Sequence, residues 1–176
     1  MEEVTVKAKN DQIAKLLLQD TRKQLERYLQ SIVRCLSLLT EKEIWWRPNG
    51  ASNSAGNLVL HLCGNVRQWI ISGLGGAPDV RLRDKEFSER GLIPRRVLVA
   101  RLRTTVVEAS HVLKRLSPES LMREYTIQGH HVTGLVAVAH VYEHFSHHAG
   151  QIIYVTKLKR GKKLGFTRLP RVKKRK

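Results

Sequence analysis

Four of the chain's eight histidines, His140, His144, His147 and His148, fall within one short run from Val138 to Ile152. Val138, Val141, Phe145, Ile152 and Val155 recur there at the period of a helix and define a stripe that should face a core. Relative to that stripe His148 lies inside, His144 lies at the edge, and His140 and His147 point away. His144 and His148 are four residues apart, so their rings stack one turn above the other. Two of their nitrogens can then reach one ion at the roughly 2.0–2.1 Å of a zinc–imidazole bond. Alone, the pair reads more simply as two part-buried histidines, each satisfied by a hydrogen bond. The spacing recurs by chance and lacks the glutamate that makes His-Glu-x-x-His distinctive. A metal site needs a third ligand.

The best candidate is His61. Around it Leu58, Leu62, Val66 and Trp69 form a second helical apolar stripe, and His61 sits on the flank beside Ser54, Asn57, Asn65 and Gln68. Polar groups bordering a core cost free energy unless each finds a partner, and a metal with its surrounding hydrogen bonds would supply partners. Asn57, Asn65, Gln68 and, on the later helix, Gln151 are therefore candidates for orienting the ligands or meeting a substrate.

The elements that must position these residues are legible as helices. A long first helix is expected from about Asp11 to Leu39, with residues 1–10 frayed for want of a period. Pro48 and the turn signal Asn49-Gly50 break the chain after Trp45 and Trp46, which read as a plug over one end of a bundle. Ser52, Asn53 or Ser54 can cap a second helix that runs to about Ser72 and stops at Gly73-Leu-Gly-Gly76. Residues 77–91 read as a loop that packs back through Phe87 and Leu92 and contributes to a pocket wall. Pro94 opens a third helix that ends near Ser117-Pro118. Leu121 to His131 has no helical period; a short extended segment there leads to a last helix starting near Thr133. His111 is expected to be solvated or at the core edge, and His130 and His131 to be exposed in a loop. Four amphipathic segments joined by longer second and third connections argue an all-α bundle, a class that builds metal sites from facing helices.

At 176 residues, with 41% of them apolar, the chain suits one domain. Its two cysteines, Cys35 and Cys63, lie in apolar helical settings and read as buried thiols; with so few cysteines the expected compartment is cytoplasmic. No apolar run reaches the roughly 18 residues of a membrane span, and no secretory leader is recognisable. The formal charge of +17 is concentrated at one end. Residues 157–176 hold eleven Lys or Arg and no acid, leaving 21 basic and 15 acidic residues elsewhere. The division expected is a bundle domain over 1–168 and a disordered basic tail over 169–176. Nucleic acid could be met only through that tail, and solubility is its more economical explanation.

The segment from Asn53 to Ile70, the run Tyr125-Thr-Ile-Gln-Gly129 and the run Glu143-His-Phe-Ser-His-His-Ala-Gly-Gln-Ile152 together resemble the DinB-like family of metal-binding four-helix proteins. The resemblance covers about residues 11–168. It implies a four-helix bundle with a crossover connection, dimerisation in many members, and one divalent ion held by three histidines that match His61, His144 and His148. Ala149 stands where family members often carry a basic residue. The resemblance also implies a metal-dependent transferase or isomerase using a low-molecular-weight thiol cosubstrate on a small molecule. Imidazole ligands suit several metals, zinc and nickel foremost. Two rival readings remain: a non-catalytic metal-binding stress or nucleic-acid accessory protein, and a metal-assisted hydrolase in which Glu143 or another acid is the base. Glu143 lies on the far side of its helix, which weakens the latter.

Overall fold

The computed structural model describes residues 2–91 and 93–165. The expected packing of Leu92 and the basic tail at 169–176 lie outside the described residues.

Helix α1 spans Glu2–Leu38. It starts nine residues before the apolar period does, which corrects the expectation of a frayed first segment. Residues 2–10 contain no Gly or Pro. Extending an existing helix needs no apolar face of its own. Further along, Leu25, Leu29, Ile32 and Leu36 form its buried stripe. Thr40 then caps the short α2, Glu41–Ile44, in a reciprocal box with Glu43. Trp45 lies against Gly56, where any Cβ would come within 2.8 Å of the indole, and its Nε1 donates to Ile93 O at 3.3 Å.

Helix α3, Ala55–Val66, begins with a capping box between Ser54 and Asn57. It continues as a π-helical segment, Arg67–Leu74, and stops where Gly76 adopts a positive φ of 76°. The following connection is not a plain loop. It contains α4, Arg83–Ser88, and Asn57 ties it down by donating from Nδ2 to Glu86 O at 2.9 Å and Glu89 O at 3.1 Å. Arg47 donates to both Asn57 Oδ1 and Phe87 O. Asn57 is thus a structural stitch between helix start and loop.

Helix α5, Arg95–Arg115, buries Leu98, Leu102, Ala109 and Leu113. A short α6, Pro118–Met122, follows. The expected extended segment is present as β1, Glu124–Ile127, but it pairs antiparallel with β2, His130–Thr133. Gln128 and Gly129 turn between them with φ of 55° and 79°, the two left-handed residues a tight right-twisted hairpin requires. Helix α7, Gly134–Arg160, is capped by Thr133 and ends at Gly161 in the left-handed conformation.

Packing pairs α1 with α5 and α7, and α3 with α5 and α7. The helices therefore run α1, α5, α3, α7 around an all-α bundle, so that α1 and α3 are diagonal and the first connection crosses over. Among the described residues no helix is long and apolar enough to cross a membrane.

Asn57→Ala should lower stability in chemical denaturation by about 1–3 kcal/mol, since it removes half of a capping box and the donor to the buried Glu86 carbonyl. A loss below about 0.5 kcal/mol would show that the 83–91 segment is held by something else.

Candidate metal centre

Helix α7 carries His144 and His148 one above the other, and α3 brings His61 to meet them from the neighbouring helix. His61 Nε2 lies 3.0 Å from His144 Nε2, and His144 Nε2 lies 3.2 Å from His148 Nε2. One nitrogen from each ring falls within 4.8 Å of the other two. Metal–imidazole bonds of 2.0–2.1 Å put neighbouring ligand nitrogens roughly 3.0–3.4 Å apart, so the two closest separations suit a shared ion.

The outer nitrogens explain which lone pairs point inward. His61, 6% exposed, places Nδ1 2.9 Å from Glu86 Oε2. Arg81 Nη2 lies 3.1 Å from the same nitrogen but donates to Glu86 Oε2, so a proton on His61 Nδ1 is accepted by that carboxylate and leaves Nε2 bare. His148 Nδ1 lies 2.7 Å from Gln151 Oε1, with the same consequence. His144 Nδ1 is buried without a partner among the described residues. With two bare nitrogens directed at His144 Nε2, a single proton there can satisfy only one of them, whereas a cation would meet all three. The donor set fits a divalent ion with an open coordination position.

Electrostatics keep the rings receptive. Burial pushes His144 down to about 3, helped by the neighbouring His148 and His61. Burial also lowers His148, against the opposing hydrogen bond it donates to Gln151 Oε1. Glu86 behaves oppositely: burial alone would raise its carboxyl, but hydrogen bonds from Arg81 and His61 and the Arg81 charge win and hold it below the usual range. Arg81 donates Nε to Oε1 at 2.8 Å and Nη2 to Oε2 at 2.9 Å, gripping both oxygens. Gly64 makes room for this, since a Cβ there would overlap Glu86 Oε1.

Glu86 and Arg81 were not legible as site residues. They sit in a connection without periodicity, and no local pattern distinguishes Glu86 from its charged neighbours. Of the polar candidates, Gln151 contacts a cluster histidine directly. Gln68 acts at one remove: its Oε1 accepts from Arg81 Nη1 at 2.9 Å and its Nε2 donates to Asp79. Asn65 Nδ2 lies 3.2 Å from His140 Nε2. Asn57 serves the loop rather than the histidines.

His140 corrects the helical-wheel reading. It does not turn away; it is half-buried, 4.0 Å from the Trp69 ring and 5.4 Å from the His144 ring. A turn every 3.6 residues carries i, i+4 and i+8 along one slowly drifting line, and the apolar stripe used as reference lies beside that line. His147 is exposed as expected, although Gln151 Nε2 lies 3.2 Å from its Nε2. His111, His130 and His131 are exposed.

A family model described as a protein of unknown function, DUF1572, matches residues 12–173. The chain belongs to the DUF1572 family. No curated protein matches it in sequence. Its structure is similar to that of a conserved protein from Enterococcus faecalis, with a TM-score of 0.70 and 18% identity over 82% of this chain and 97% of that one. A DinB-like protein from Bacillus cereus matches with a TM-score of 0.63 and 15% identity, covering 81% of this chain and 92% of that one. A DinB-like protein from Bacillus subtilis matches at 0.61 and 19%, covering 80% and 92%. At these identities the likeness establishes the fold, and the fold is DinB-like.

The metal-free protein should lose stability as the medium is acidified. An unfolded histidine has a pKa near 6.5, above the about 3 of folded His144. Folding therefore favours the neutral ring; that contribution is complete above about pH 6.5 and disappears as pH falls toward 3. Denaturation midpoints should decline over that window, and His144→Phe should flatten the decline. An unchanged slope in the variant would show that other groups carry it.

Proposed function

We propose that this protein is a divalent-metal protein, with the ion held by His61, His144 and His148, and that it is a thiol-dependent S-transferase or isomerase acting on a small molecule. The observation that carries the metal reading is the convergence of three inward nitrogens, two of them oriented by hydrogen bonds from behind. A bound divalent ion would supply Lewis acidity and lower the pKa of a thiol at its open position.

The protein's own residues support an external thiol. Cys35 is fully buried, and burial raises its pKa. Cys63 is part-buried as a residue, but desolvation of its thiol pushes it up to about 12. Neither can serve as a nucleophile at neutral pH. A hydrolase would need a free general base near the cluster. Glu86 is committed to Arg81 and His61, and Glu143 is exposed on the other face of α7. His61 and His148 are held in the ligating tautomer by Glu86 and Gln151, so these residues orient the donors rather than move protons.

Metal content after dialysis of the untagged protein tests the assignment. Ala substitution at His61, His144 or His148 should lower affinity by orders of magnitude, while His147→Ala should retain the ion. Glu86→Gln should weaken binding by roughly 10–100-fold in chelator competition, because the proton on His61 Nδ1 loses its anionic acceptor. The double variant Cys35→Ala with Cys63→Ala should keep its metal. Equal retention by the His61 and His147 variants, with circular dichroism confirming both folds, would defeat the reading. Screening the metal-loaded protein for consumption of low-molecular-weight thiols with small electrophiles tests the transferase assignment.

A further inference from the structure

Between α3, α5 and the segment from Val80 to Glu89 lies a cavity of about 660 Å³, within the roughly 300–1,000 Å³ of small-molecule sites. None of the three clustered histidines lines it, although Arg81 and Glu86 do. Four basic side chains face it: Arg67, Arg81, Lys85 and Arg101. Two are neutralised, Arg67 by Glu108 at 2.9 Å and Arg81 by Glu86. The side chains of Lys85 and Arg101 make no ion pair or hydrogen bond among the described residues. The remaining carboxylate, Glu89, accepts from the backbone N–H groups of Arg90 and Gly91 at 2.8 and 3.0 Å. The lining therefore sets four cations against three carboxylates, an excess of one positive charge, with Lys85 and Arg101 outside any ion pair.

Its walls are also apolar. Leu60 and Ile93 line it, together with Val80 and Leu82, which stand 66% and 60% exposed. Aliphatic side chains beside unpaired cations match a ligand with a negative head and a short hydrocarbon body: the head meets the cations and the body covers the aliphatics.

We infer that this cavity binds a small amphipathic anion, a carboxylate or phosphate monoester, with its charge against Lys85 and Arg101 and its apolar part against Val80, Leu82, Leu60 and Ile93. No histidine of the cluster lines the site, which shares only the Arg81–Glu86 wall with it and stands whether or not that cluster holds a metal.

Titration of the full chain with octanoate and with hexyl phosphate, followed by calorimetry and backbone amide resonances, tests the site; uncharged octanamide is the control. Saturable binding of either anion is expected, with resonance changes gathered at residues 60–64, 81–89 and 101–105. The preferred head group distinguishes carboxylate from phosphate. The double variant Lys85→Glu with Arg101→Glu changes exposed side chains only, so it should stay folded by circular dichroism while binding roughly tenfold more weakly or worse. Absence of saturable binding by both anions, equal affinity for octanamide, changes mapped to another surface, or an unaltered affinity in the charge-reversed variant would overturn the assignment.

Discussion

The approach of α3 to α7 at His61 and His144 is the constraint on which the rest of the site depends. Two imidazole nitrogens 3.0 Å apart can be held there only if both helices are locked in register. On α7 the lock is the fully buried stripe of Val138, Val141, Phe145 and Ile152, which leaves His144 and His148 no freedom to rotate off the interface. On α3 it is the capping box at Ser54 and the stitch made by Asn57, which together set where the helix begins and so where His61 emerges. The 77–91 connection then closes behind His61, with Phe87 4.7 Å from its ring and Glu86 on its outer nitrogen.

Charge at the site is distributed by burial against pairing. His144 and His148 are desolvated beside one another, which favours their neutral, ligating form. Glu86 is desolvated too, yet two Arg81 contacts and one from His61 keep it ionised. A neutral ring backed by a fixed carboxylate is a stronger donor than the same ring alone. Gly64 is the small residue that lets the Arg81–Glu86 pair press against α3, so packing at one backbone position governs the electrostatics of a ring one turn earlier. The same pair forms part of the wall of the cationic cavity between α3 and α5.

The region beyond His144 is built from the π-helical segment. Its widened turn presents Trp69 to His140, while Asn65 binds that ring from one turn before. Asn65 Oδ1 and Trp69 Nε1 are buried without partners among the described residues, so polar capacity is left over beside the histidines. π-Helical turns recur at functional sites because they displace side chains that a regular helix would place elsewhere.

The sequence by itself determined the four long helices, since apolar residues at 3.6-residue spacing bury only as helices, and it narrowed their caps to a few residues such as Thr133 that act within three positions. It also determined the pair His144 and His148, whose juxtaposition is a property of one turn of helix. His61 was reachable because the polar residues around it, on the edge of an apolar stripe, demanded partners. Tertiary structure decided the rest. Whether His140 belongs beside the cluster depended on the rotation of α7 against α3, a few tens of degrees that an apolar stripe does not resolve. The roles of Asn57 and Gln68 depended on a connection whose own path has no period. Glu86 and Arg81 come from that connection, 25 and 20 residues from His61. Nothing local marks them, because an ion pair that crosses space is specified by the packing that brings its members together.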